Sequence, residues 1–139
     1  MSGVRISPLG PINMTPTKQT KLYQKDGAHN GNCFAACVAS LLDLPLWMVP
    51  PFEEGFGRAE WYETRFDEWL ARMFKMRRVK LEGHQIDKLP EFYVASGHSE
   101  RGVSHAVIYS NGIMVHDPHP SNGGIMQVDY VWFVENLEM

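Results

Sequence analysis

A cysteine, a histidine and an aspartate in this chain form a set that can carry out nucleophilic catalysis. Cys33 follows a polar, glycine-containing run and opens a stretch of small and apolar residues, while His105 and Asp117 lie close together in the second half. A thiol nucleophile needs a base to accept its proton, and the base needs a partner that fixes its tautomer. We therefore predict Cys33 as nucleophile, His105 as general base and Asp117 as the residue that orients the base.

The residues around Cys33 predict a buried helix that begins at the cysteine and extends to Leu42. Asn32 is a suitable N-cap, and Pro45 ends the helix because proline disfavours helical geometry at the preceding residue. The unpaired N–H groups and the positive dipole end of such a helix favour a thiolate, so we expect a lowered pKa for Cys33. Cys37, one turn later, is predicted to be a small core residue.

The histidine and the aspartate are predicted to meet at the open end of a β-hairpin. The segments 104–109 and 113–117 have strand character and are joined by Asn111-Gly112, a dipeptide typical of two-residue hairpin turns. Counting outward from this turn places His105 within about one residue of register of Asp117. A carboxylate there can accept a hydrogen bond from one ring nitrogen while the other nitrogen faces Cys33.

Two further requirements of the chemistry are an oxyanion site and a substrate groove. The backbone N–H of Cys33 is one natural oxyanion donor, and a side-chain amide, from Gln24 or from Asn32, is the second. Gln24 is preferred for its reach and its place before the loop. His29 and Trp47 are candidates for the groove, although packing in the core is the favoured interpretation for Trp47.

The remaining segments predict an α+β domain, with helices first and an antiparallel sheet after them. Residues 1–17 form a proline-containing extended arm, and residues 18–139 form a single domain. Apolar residues at three-and-four spacing predict a second helix over 59–78, whose last residues form a basic cluster suited to a helix end. Strands are predicted at 92–96 and 125–134, besides the two of the hairpin.

The composition limits the classes of function. The chain has 139 residues, a net charge of −3 and two cysteines, and its basic and acidic residues are interspersed. No basic stripe favours nucleic acid, no segment is apolar enough to span a membrane, and the N-terminus lacks a signal-peptide core. We therefore expect a cytoplasmic location (the host cytoplasm if the chain is phage-encoded), with no nucleic-acid or membrane partner.

The Gly-Asn-Cys-Phe-Ala-Ala-Cys-Val-Ala-Ser-Leu-Leu run, with Ser-His-Ala-Val-Ile-Tyr and Val-His-Asp-Pro-His-Pro downstream, resembles the papain-like cysteine peptidase superfamily. The likeness is strongest to double-glycine leader peptidases, which process bacteriocins, and to small proteins of phages and bacteria. It covers roughly residue 19 to the C-terminus. It implies a papain-like fold and a thiol hydrolase that acts on a peptide, isopeptide or other amide bond without a cofactor. In the exporter branch a glutamine six residues before the cysteine serves the oxyanion hole, whereas Gly27 stands there in this chain.

Three alternatives remain open from the residues alone. Acyl transfer to an amine, as in a transglutaminase, uses the same three residues. A non-catalytic binding protein on the same scaffold would hold Cys33 as a buried thiol. His105, His116, Asp117 and His119 form a histidine-rich patch with metal-ligand character, but strand alternation points His116 away from Asp117, so we predict no metal.

Overall fold

The computed structural model describes residues 6–7, 10–11, 14–22, 31–53, 59–83 and 89–137. A short hairpin near the N-terminus pairs β1 (Ile6–Ser7) with β2 (Gly10–Pro11). Two helices follow, α1 (Cys33–Leu42) and α2 (Ala59–Phe74), with a 3-10 helix (Leu46–Met48) between them. The strands of the main sheet are β3 (Met76–Glu82), β4 (Tyr93–His98), β5 (Ser104–Ser110), β6 (Ile113–His116) and β7 (Tyr130–Asn136).

The main sheet has five strands in the order β3-β7-β4-β5-β6, and every neighbouring pair is antiparallel. Its two faces carry separate groups of buried apolar residues, and α1 and α2 pack on the same face. The α+β class, with two helices packed on an antiparallel sheet, is therefore confirmed.

Helix α1 lies in the interior, because Phe34 through Leu42 are all buried. Asp43 ends the helix in a left-handed conformation, and the N–H of Leu44 donates to the carbonyl of Ala39, which satisfies the last turn. The predicted bounds of this helix are confirmed. Cys37 is fully buried, as predicted, and both cysteines are free thiols.

Helix α2 is shorter than the predicted helix over 59–78, and the assignment of Lys75–Arg78 as a helix end is wrong. Lys75 breaks the helix with a φ of 56°, and β3 begins at Met76. Strand β3 pairs with β7 from Met76–Asn136 to Glu82–Tyr130. The sequence interpretation missed this strand because the helical spacing extends to Phe74 and the basic residues after it suit either element.

The strands of the second half largely follow the prediction. Strands β5 and β6 are joined at Asn111-Gly112, and both turn residues have positive φ values of 53° and 81°, as a type I′ turn requires. A bulge between Ile108 and Tyr109 shifts the register by one residue. The last strand starts later than predicted, because residues 125–129 form no strand and β7 begins at Tyr130.

Aromatic rings pack α1 against α2, β7 and the segment that contains Phe52. The Phe34 ring on α1 meets the Phe66 ring of α2 edge-on at 5.2 Å between centroids, and it also contacts Phe52 and Trp132 of β7. The preferred interpretation of Trp47 as a core residue is wrong: it lies on the 3-10 helix and is 82 % exposed. Instead, Phe52, a few residues later, is buried in this cluster.

The described part of the N-terminal segment packs against both α1 and the loop after β6. The N–H of Thr15 donates to the carbonyl of Ser40, and the N–H of Thr17 donates to the Ser40 hydroxyl. The Lys18 ammonium donates to the carbonyls of Asp117 and His119. Residues 14–22 form no strand.

Candidate active site

Cys33 opens α1, with Asn32 at the N-cap position, as predicted. The Asn32 side chain, however, makes no capping bond to the helix. Its carbonyl oxygen accepts hydrogen bonds from the N–H groups of Thr20 and Lys21, at 3.0 and 2.9 Å. Its Nδ2 donates to the Thr20 hydroxyl at 3.0 Å. The amide therefore links the preceding segment to the helix start, and the oxyanion role of Asn32 stays a prediction.

Glu53 caps the helix in place of Asn32. Its Oε2 accepts hydrogen bonds from the N–H groups of Phe34 and Ala35, at 2.9 and 3.3 Å, and the residue is only 6 % exposed. These are the two amides directly after Cys33. Sequence reasoning missed Glu53 because nothing local indicates that a residue 20 positions later returns to the start of the helix.

The expected lowering of the Cys33 pKa is wrong. Burial of the thiol, followed by the negative charges of Glu53 and Asp117, raises the pKa of Cys33 to about 12, although a hydrogen bond from the Ala106 N–H acts in the opposite direction. The dipole end that was expected to favour a thiolate is already occupied by a carboxylate. Cys33 is therefore a thiol in this structure.

His105 and Asp117 form a direct side-chain pair, as predicted, although the bulge moves the register of the hairpin by one residue from the count made outward from the turn. His105 Nε2 and Asp117 Oδ1 are 2.6 Å apart, and both residues are buried. Because Nε2 is engaged by the carboxylate, Nδ1 is the ring nitrogen that remains for a proton transfer.

Asp117 is held as a carboxylate by three donors. Besides the contact with His105, Oδ1 accepts from the His119 N–H at 2.9 Å and Oδ2 accepts from the Gly124 N–H at 2.7 Å. Burial alone would raise the pKa of Asp117, but the hydrogen bonds from His105, Gly124 and His119 outweigh it and lower the pKa to about 2. The Asp117 side chain is therefore an anion over the whole neutral pH range, and it is in this form that it orients His105.

The thiol approaches this pair at the junction of α1 and β5. Helix α1 packs against β5, and the backbone of Ala106, which directly follows His105, acts to lower the pKa of the Cys33 thiol. The charge of Asp117 also acts on the same thiol. The structure thus brings the neighbourhoods of all three predicted residues together.

Gln19 is a further polar group near these residues, and the sequence interpretation did not single it out. Its N–H donates to the carbonyl of Pro118, which follows Asp117, and the next residue, Thr20, bonds to Asn32, which precedes Cys33. Its Nε2 donates one hydrogen to the Lys21 carbonyl. Gln19 thus lies between the chain neighbours of Cys33 and Asp117, and among the described residues its second amide N–H has no hydrogen-bond partner.

The other predicted positions divide into two groups. Gln24 and His29 lie outside the described residues. Trp47 follows the end of α1 that is away from Cys33, so the structure does not bring it to the site.

The histidine-rich patch does not have the arrangement of a metal site. The Nε2 atom of His116 lies 2.7 Å from the carbonyl oxygen of Thr17. Within the described ranges, no three His, Cys, Asp or Glu side chains converge as metal ligands would.

No protein-family model, curated protein or solved structure matches this chain. In the part of the chain that the structure describes, neither helix has the length and apolarity needed to cross a membrane.

Proposed function

We infer that this protein is a papain-like cysteine hydrolase that cleaves a peptide, isopeptide or other amide bond. The observation that carries this proposal is the buried His105–Asp117 pair, with 2.6 Å between Nε2 and Oδ1, at the strand against which the cysteine-bearing end of α1 packs. A thiol, an oriented imidazole and a carboxylate in this arrangement support acyl transfer through a thioester.

In the proposed reaction the thiol loses its proton as it attacks. The Cys33 Sγ bonds to the amide carbonyl carbon while His105 Nδ1 takes the thiol proton. The tetrahedral oxyanion accepts hydrogen bonds from the Cys33 N–H and from the remaining N–H of the Gln19 amide. His105 then gives its proton to the leaving amine, the C–N bond breaks, and a thioester remains on Cys33.

Water completes the cycle. His105, again neutral, removes a proton from water as the oxygen attacks the thioester carbonyl, and the C–S bond breaks to release a carboxylic acid and the thiol. An amine in place of water gives the acyl-transfer alternative, because only the acceptor differs. The partner in either case is a peptide or protein substrate, and no cofactor takes part.

A proton transfer concerted with attack suits the raised pKa of Cys33 better than a resting thiolate does. The same raised pKa favours the second candidate function, a non-catalytic binding protein in which Cys33 is an inert thiol. The two candidates therefore differ in whether His105 governs the reactivity of Cys33.

The test is the rate of iodoacetamide alkylation at each cysteine, resolved by mass spectrometry of peptides. Cys37, which is fully buried in the same helix, is the internal reference. We expect Cys33 to react, Cys37 to stay unlabelled, and His105→Ala to slow Cys33 labelling at pH 8 by about a hundredfold, at the low end of the range typical of general-base assistance. Equal Cys33 rates in the parent protein and in His105→Ala would refute the hydrolase and leave the binding protein.

A further inference from the structure

The chain between the two helices brings a carboxylate back to the start of α1. After the 3-10 helix the backbone turns inward, and Val49 and Phe52 are buried. The Phe52 ring contacts Phe34 at 6.2 Å and Phe66 at 5.6 Å between centroids. This packing fixes the backbone of the next residue, Glu53, opposite the first turn of the helix that carries Cys33.

The carboxylate of Glu53 lies at the N-terminus of α1, where the helix amides and dipole would stabilise a thiolate most strongly. The N–H groups of Phe34 and Ala35 donate to its Oε2, and the Ala36 N–H is taken by the Asn32 carbonyl. A negative charge at a helix N-terminus is stabilised by the dipole, so a second negative charge on the adjacent sulfur meets repulsion instead of a free positive end.

We propose that Glu53 is a positioning residue that fixes the first turn of α1 and, by placing a carboxylate on its amides, restrains ionisation of Cys33. This inference deepens the proposed function, on which it rests for its biological role. A restrained thiol reacts when a substrate and His105 are both in place, and it is protected from alkylating or oxidising small molecules at other times.

The charges around the two groups agree with this assignment. Burial raises the pKa of Glu53 to about 7, against hydrogen bonds from the helix amides and the positive charge of Lys21. Among the described residues, the titratable groups that face Glu53 or the Cys33 thiol are Lys21 on the N-terminal segment, Cys37 on α1, His105 on β5, Asp117 after β6 and Tyr130 on β7. Glu53 is thus the negative group on the helix side of the thiol, and Asp117 is the one on the sheet side.

The experiment measures the pH profile of Cys33 alkylation by iodoacetamide in Glu53→Gln. Glutamine keeps an oxygen that accepts from the Phe34 and Ala35 N–H groups but removes the charge. We expect the profile to move to lower pH by about one unit, which is a roughly tenfold faster reaction at a fixed pH between 8 and 9. Glu82→Gln removes an exposed charge on β3 and should leave the profile where it is.

An unchanged profile in a folded Glu53→Gln protein would overturn the inference. If that variant does not fold, Glu53→Asp provides the test, because it keeps the charge but withdraws it by one methylene. The pH profile of Cys33 alkylation should then move to lower pH by less than in Glu53→Gln, and an unchanged profile in Glu53→Asp would contradict the inference.

His105→Ala separates the two proposals. A shift in Glu53→Gln together with no effect of His105→Ala supports the role of Glu53 and defeats the hydrolase, whereas the reverse pattern supports the hydrolase and defeats the role of Glu53.

Discussion

His105 presents Nε2, not Nδ1, to Asp117, with 2.6 Å between the nitrogen and Oδ1. Because Asp117 stays ionised, it accepts and cannot donate, so the proton of a neutral His105 must lie on Nε2. The nitrogen with the free lone pair is then Nδ1. This assignment matters because only a lone pair can take the proton of Cys33.

The tautomer is directly measurable. In the uniformly ¹⁵N-labelled protein at about pH 9, where imidazoles are neutral, long-range ¹H–¹⁵N correlation spectra should give His105 a protonated Nε2 and an unprotonated Nδ1. Asp117→Ala should remove this preference, because it takes away the acceptor that sets it. A neutral His105 with its proton on Nδ1 would contradict the proposed direction of proton transfer.

The lowered pKa of Asp117 makes stability fall at acid pH. The carboxyl has a pKa of about 2 in the folded protein against an ordinary 3.8, so its contribution is present above about pH 4 and is lost as the pH falls toward 2. The contribution is about 2 kcal/mol. Urea unfolding of Asp117→Asn should show a shallower loss between pH 4 and 2 than the parent, whereas Asp129→Asn, at an exposed position, should follow the parent.

Glu53 produces the opposite pH dependence. Its pKa of about 7 in the folded protein exceeds the ordinary 4.5, so the folded state binds the proton more tightly and loses stability as the pH rises from about 4.5 to 7. The loss is at most about 3 kcal/mol. Glu53→Gln cannot ionise, so its unfolding free energy relative to the parent should rise between pH 5 and pH 8. A constant difference between the two proteins over that range would contradict this.

The aromatic cluster under α1 predicts a large cost for truncation at Phe66. The residue is fully buried on α2, and its ring contacts those of Phe34 and Trp132. Phe66→Ala should lower the unfolding free energy by about 3 to 5 kcal/mol, because it removes apolar burial and leaves a cavity. Met73 lies on the same helix and is mostly exposed, so Met73→Ala should change it by less than about 0.5 kcal/mol in the same urea titration.

Gly97 lets the loop beside the site approach β4. It pairs with His105 across the sheet, and a Cβ built on it would overlap the carbonyl oxygen of Gln127. Gly97→Ala should therefore displace this loop and cost about 3 kcal/mol. Gly102 has a φ of 84° and no atom within 4 Å of a built Cβ, so Gly102→Ala should cost only about 1 kcal/mol. If thermal unfolding shows that Gly97→Ala and Gly102→Ala lower the unfolding free energy equally, this would contradict the overlap.

What the sequence could predict is what depends on neighbours along the chain. The start of α1 at Cys33 and the hairpin turn at Asn111-Gly112 follow from local propensities, and the meeting of His105 and Asp117 follows from that turn even though a bulge shifts the register by one. Strand β3 was missed because its pairing partners on β7 lie 48 to 60 residues later, from Glu82–Tyr130 to Met76–Asn136.

The residues that sequence reasoning missed at the site depend on distant contacts. Glu53 reaches the helix start only because the connecting chain folds back under Phe52, and Gln19 reaches it only because the N-terminal segment packs between Asn32 and Pro118. The prediction of a lowered pKa for Cys33 was wrong for the same reason, because it did not include Glu53. A helix start without Glu53 favours a thiolate, and burial together with this carboxylate reverses the preference.

The chain separation of the three residues has a consequence for how the protein reaches its native state. His105 and Asp117 belong to one hairpin, whose loop is short to close, whereas Cys33 comes from about half the chain away. Contacts between distant segments form more slowly than local ones. We therefore expect the imidazole–carboxylate pair to form early in refolding and the thiol to join it late. The rate at which Cys33 reactivity returns then reports the last step of site assembly and not the first.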